Sequence, residues 1–64
     1  MIGRRRNKLI SKRKTQGYTQ MEAAEKLGCS RAHYASIEVG LKNPGFDLTE
    51  RIIEVFGIDV RDWR

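Results

Sequence analysis

Apolar residues in this chain recur at helical rather than strand spacing, and glycine or a small polar residue interrupts them at short intervals. Residues 19–28 read TQMEAAEKLG, with Ala23, Ala24 and Leu27 on one face at i, i+1 and i+4. Thr19 followed three residues later by Glu22 is a capping box. Hydroxyl and carboxylate there satisfy N–H groups that a first turn leaves unpaired, which predicts a helix from Gln20. Gly28 can adopt the left-handed conformation that stops it. Ser30 then caps a second helix over 31–38, and Cys29 and Tyr34 flank that cap at the spacing of a hydrophobic staple. Tyr34 and Ile37 form its inner face, and Gly40 ends it.

The flanks follow the same rule. Residues 2–16 form a leading helix with Ile2, Leu9 and Ile10 inward, stopped by Gly17. A loop over 41–45 is stiffened by Pro44. Asp47 and Glu50 form a second capping box, opening a helix in which Leu48, Ile52, Val55 and Phe56 repeat at helical spacing, with Phe46 beneath it and Gly57 as its stop. Residues 58–63, opened by Asp59, form a short fifth helix whose Val60 and Trp63 face inward or onto a partner. The fold class is therefore all-α, a compact bundle of about five short helices in one domain, 1–64. A chain of 64 residues has room for one modest core.

Two helices joined by so short a turn cross steeply and meet near Ala24, where anything larger than a methyl would clash. Ala24 and Gly28, with apolar Ala23, Leu27, Cys29, Tyr34 and Ile37, are what that crossing requires. Together with Tyr18-Thr19-Gln20, Ala-Glu-Lys-Leu-Gly at 24–28, Ser30-Arg31, Ile37-Glu38, Gly40 and Asn43-Pro44, they give a strong composite pattern. The chain resembles, over residues 2–63, the DNA-binding domain of phage repressors and Cro proteins, the Xre-like helix-turn-helix regulators. That resemblance implies a lambda-repressor-like bundle with 31–38 as the recognition helix. It implies that Gln20 touches the DNA backbone, that Lys42 and Asn43 contact phosphates from the following loop, and that Arg13 partners Glu38 in an ion pair. It also implies a dimer contact around the last helices, here Ile58, Val60 and Trp63. Arg5 and Arg6 depart from the family, which has an aliphatic residue there. Their stems are expected along the core edge with their heads in water, above a loose first turn.

At about 100° per residue, Arg31, Ala32, Ala35 and Ser36 share the arc opposite Tyr34, Ile37 and Glu38. This small, nearly uncharged face suits close approach to a major groove. Arg31 can bond guanine O6 and N7, Ala32 or Ala35 can meet a thymine methyl, and Ser36 is a less selective reader. Thr19 and Gln20, at a helix start, are candidate phosphate contacts, as is Arg13. His33, at the edge of the arc, either touches a phosphate or is solvated.

Charge sharpens the picture. Up to Lys14 there are seven basic residues and no acidic one, so the rest of the chain carries six basic against eight acidic and the whole net +5 lies in the first element. Such a block steers encounter with a polyanion. With one His, one Cys and no paired inward carboxylates, neither an enzyme nor a zinc site is expected, and no cofactor or small-molecule ligand is read. Cys29 reads as a small buried hydrophobe rather than a redox sensor. No signal peptide or membrane span is evident, and the expectation is a soluble, cytoplasmic, prokaryotic or phage-encoded protein. The partner read from all this is double-stranded DNA, as an inverted-repeat operator bound by a homodimer. The role is a sequence-specific transcriptional regulator, a Cro-like repressor. The competing reading is a protein-interaction module on the same fold, such as an antitoxin or a subunit that masks another regulator. RNA fits less well, because the few aromatic residues point inward.

Overall fold

A computed structural model describes residues 5–59. Among them the chain forms four helices and no strand: α1 (Asn7–Thr15), α2 (Gln20–Leu27), α3 (Arg31–Glu38) and α4 (Phe46–Phe56). None is long and apolar enough to cross a membrane.

The centre of the fold is set by local chemistry. Glu22 N–H donates to Thr19 Oγ1 at 3.1 Å and Thr19 N–H to Glu22 Oε1 at 2.8 Å, so both halves of the box close on the start of α2. Gly28 ends the helix at φ +76°, and a Cβ there would stand 3.1 Å from Arg51 Nη1. That guanidinium is itself occupied, donating to Leu27 O at 3.2 Å. Ser30 Oγ accepts from His33 N–H at 3.1 Å and starts α3.

Leu9, Ala23, Ala24, Leu27, Tyr34, Ile37, Ile52 and Phe56 are all buried, and the half-buried Tyr18, Cys29, Leu48, Val55 and Ile58 pack around them. Ala23 and Ala24 are fully enclosed in the core, so any larger side chain there would have to displace its neighbours. Tyr18 meets Phe56 edge-on with ring centroids 6.2 Å apart, and Lys26 Nζ sits 5.1 Å from the Tyr18 ring centre.

Several expectations are corrected. The described residues contain four helices, not about five. Ile58 and Asp59 are not helical, and Val60 and Trp63 lie outside the described residues. The leading helix begins at Asn7 rather than at residue 2, with Arg5 and Arg6 in non-helical chain before it and Ile2 outside the described residues. Helix α4 begins at Phe46 with Gly45 as its N-cap, so Asp47 and Glu50 form no capping box. Asp47 lies instead in the first turn, where a negative charge suits the helix's positive pole. Because the helix starts earlier, its turn of about 100° per residue carries Phe46 off the inward stripe of Thr49, Ile52 and Phe56. Phe46 is 71% exposed rather than beneath the core.

Candidate nucleic-acid interface

Helix α3 is divided along its length. Tyr34, Ile37 and Glu38 are buried, Arg31 and Ala32 are exposed, and Ala35 and Ser36 are half-buried beside them. Four small or slender side chains therefore face away from the protein in one arc, with Arg31 at its capped start. Ser36 Oγ donates to Ala32 O at 3.0 Å, so its proton is committed to the helix and its lone pairs remain for an incoming donor.

Two helices hold α3 through the Glu38 carboxylate. Arg13 Nε from α1 donates to Glu38 Oε2 at 2.6 Å, and Arg13 Nη2 reaches Oε1 at 3.4 Å. Gln20 Nε2 from the first turn of α2 donates to Oε1 at 2.9 Å. Arg13 Nη1 also donates to Tyr18 O at 2.9 Å, fixing the chain between α1 and α2. Burial pushes the Glu38 carboxyl up, but the Arg13 bonds first, then the Tyr34 hydroxyl dipole and Gln20, overcome it and hold the group below its ordinary value. The same bond to Glu38 raises Arg13 despite burial. The Tyr34 hydroxyl is enclosed beside this cluster without completing a hydrogen bond of good geometry. Burial, reinforced by the Glu38 carboxylate, raises its pKa.

A second arginine closes the other side of the same helix end, and the sequence pattern missed it. Arg6 is 6% exposed, its head bonded within the protein rather than in water. Its Nη1 donates to Ile37 O at 2.6 Å and to Lys42 O at 3.2 Å, and its Nη2 donates to Asn43 Oδ1 at 2.8 Å. Its backbone N–H donates to Glu38 O at 2.7 Å. Burial lowers its pKa from the ordinary arginine value. The electrostatic need is plain: α3 has no basic residue in its last turn and ends on an acid, the wrong sign for a helix's negative pole. Arg6 and Arg13 supply the missing cations from elsewhere in the chain. The one signal in the sequence was the family's aliphatic position filled here by arginine.

The remaining candidates fall into place around this frame. Thr19 is exposed, with its hydroxyl on the Glu22 amide, and Gln20 is half-buried on Glu38. Lys42 and Asn43 are exposed in the loop after α3. Arg13 is enclosed, its side chain 10% exposed and its donors directed at Glu38 and Tyr18 rather than presented to a phosphate. His33 is half-buried and lies beside Phe46 and Arg51, apart from the Arg13–Glu38 cluster. Ile58 packs against the core. Cys29 is half-buried, and burial raises its thiol pKa, with Arg51 opposing in part. Among the described residues no group of three or more His, Cys, Asp or Glu is placed to hold a metal ion.

A helix-turn-helix family model matches residues 9–63 of the chain. An uncharacterised HTH-type transcriptional regulator from Methanocaldococcus jannaschii is 37% identical over 57 residues, which cover 89% of this chain and 86% of that protein.

Proposed function

Because the chain belongs to the helix-turn-helix family of the phage-repressor and Cro (Xre-like) type, matched over residues 9–63, we propose that it is a transcriptional regulator whose α3 reads duplex DNA in the major groove. The observation that carries this is the division of α3. Tyr34, Ile37 and Glu38 are locked inward, while Arg31, Ala32, Ala35 and Ser36 form a slim outward ridge with one cation at its leading end. Arg31 offers a bidentate fork to guanine, Ala32 and Ala35 offer methyl groups to thymine, and Ser36 offers acceptor lone pairs. Thr19, Gln20, Lys42, Asn43 and His33 flank the ridge as contacts to the phosphate backbone.

The longest dimension of the described residues is 29 Å, less than the roughly 34 Å between successive half-sites on one face of the duplex. One copy therefore reads one half-site. We extend the proposal to a homodimer on an inverted repeat, with Ile58, Val60 and Trp63 as its contact and repression by occupancy as its action. The exposed Phe46, Met21 and Leu41 are what a protein-interaction module would use instead.

Selection of bound duplexes from a random pool supplies the site, and Arg31→Ala tests the readout. The variant should lose about 1–3 kcal/mol on the selected duplex while non-specific binding stays nearly unchanged. Equal loss on both would make Arg31 a phosphate contact. Binding of no duplex, or binding that ignores added salt, would favour the protein-interaction reading, because each phosphate neutralised contributes a slope of roughly −0.9.

A further inference from the structure

We infer that Arg6 is a positioning residue for DNA engagement: a brace that fixes the far end of α3 relative to the following loop, so that Lys42 and Asn43 meet the phosphate backbone while α3 sits in the groove. The inference rests on the DNA-binding reading above. Its basis is that one planar guanidinium spans both sides of a turn, gripping Ile37 O on the helix and Lys42 O and Asn43 Oδ1 on the loop. The turn's own bonds, from the Leu41 and Lys42 amides to Ser36 O, hold the first part of the loop but leave the Asn43 side chain to Arg6. A rigid fork sets an angle that a lysine ammonium, a point charge on a flexible stem, does not set.

The bond to Asn43 has a further effect. Arginine has donors only, so the amide must turn its oxygen to Arg6 and keep its NH2 as the group available to an anion. Without Arg6 the amide is free to rotate, and its oxygen would repel a phosphate. Arg6 itself, at 6% exposure, is directed inward and does not serve as a phosphate contact. It also offsets the negative pole of α3 at the place where phosphates would otherwise meet it.

Arg6→Lys and Arg6→Gln in the full chain, each alone and combined with Asn43→Ala, test this on the selected duplex over a range of salt. Amide hydrogen exchange of the free protein is measured alongside. Arg6→Lys should remain cooperatively folded, and its salt slope should fall by no more than about one, the share of a displaced Lys42, because Arg6 itself neutralises no phosphate. It should lose about fivefold or more in affinity, the lower range of coupling between separate groups. Exchange should quicken at Leu41 and Lys42 but not at residues 23–27. Asn43→Ala should cost clearly less in the Arg6→Lys background than in wild type, an interaction that a role in stability alone would not produce. Wild-type affinity in Arg6→Lys, or additive effects of the two substitutions, would overturn the inference. If Arg6→Gln does not fold, Arg6→Lys carries the test. Should the wild type itself prefer no duplex, the DNA-binding reading fails first and the positioning role falls with it. Should the wild type bind and Arg6→Lys bind equally, only the role of Arg6 falls.

Discussion

Arg13→Met isolates the energetics of the α3 anchor. Methionine keeps a flexible stem of similar length and removes the guanidinium, leaving Glu38 at 2% exposure with the single donor from Gln20, and Tyr18 O without its side-chain donor. Stranding one member of a buried pair costs about 3–5 kcal/mol. A chain of 64 residues has a total stability of about 3–10 kcal/mol at typical values per residue. The variant should therefore be barely folded at neutral pH. Replacing both partners, as in Arg13→Met with Glu38→Leu, should recover most of the loss, because no charge is left in the interior.

The pH dependence gives the sharper check. Wild-type Glu38 lies below its ordinary value of 4.5, so it contributes stability above that value and loses it as pH falls through the folded-state pKa. In Arg13→Met burial dominates, the carboxyl moves above its ordinary value, and acid relieves the stranded charge. The gap between the two proteins should narrow on going from neutral pH to about pH 3.5. Urea denaturation followed by circular dichroism at both pH values measures it. A loss under about 1 kcal/mol at neutral pH, or the same loss at both, would refute a buried and charge-paired Glu38.

Two further outcomes follow from local geometry. Gly45 caps α4 at φ −70° and ψ 177°, which any residue adopts, and a Cβ added there would meet nothing within 4 Å. Gly45→Ser should raise stability by about 0.5–1 kcal/mol through a side-chain cap and a less flexible unfolded chain, and an unchanged or lower melting temperature would count against it. Because burial raises the Cys29 thiol pKa, native protein at neutral pH should react with iodoacetamide far more slowly than protein in urea; equal rates would contradict a packed thiol.

The parts of the fold written in short-range chemistry were legible. Thr19 with Glu22, Gly28 and Ser30 each act on residues within four positions, so the ends of α2 and the start of α3 follow from the chain itself. Arg6 was not, because its partners lie 31 to 37 positions away and any pattern of polar and apolar residues assigns an arginine to the surface. The start of α4 escapes the pattern because Gly45 caps through backbone geometry alone, whereas Asp47, a stronger capping residue by type, sits two positions on. Arg13 carried two expectations from the sequence, a phosphate and Glu38, and only distance and exposure separate them.

The attachments of α3 fall on its main chain and its inner side chains: Arg6 takes the carbonyls of Ile37 and Glu38, Ser30 takes the amide of His33, and Arg13 and Gln20 take the Glu38 carboxylate. Carbonyls and amides are common to all residue types and Glu38 is buried, so these fastenings are blind to what the outer face of the helix displays. Arg31 and Ala32 can be exchanged widely, and the half-buried Ala35 and Ser36 within a narrower range of sizes, without loosening the mount. On the proposed DNA-binding reading, the domain is a holder for an interchangeable cassette, in which a new target preference requires new outer side chains and no new scaffold.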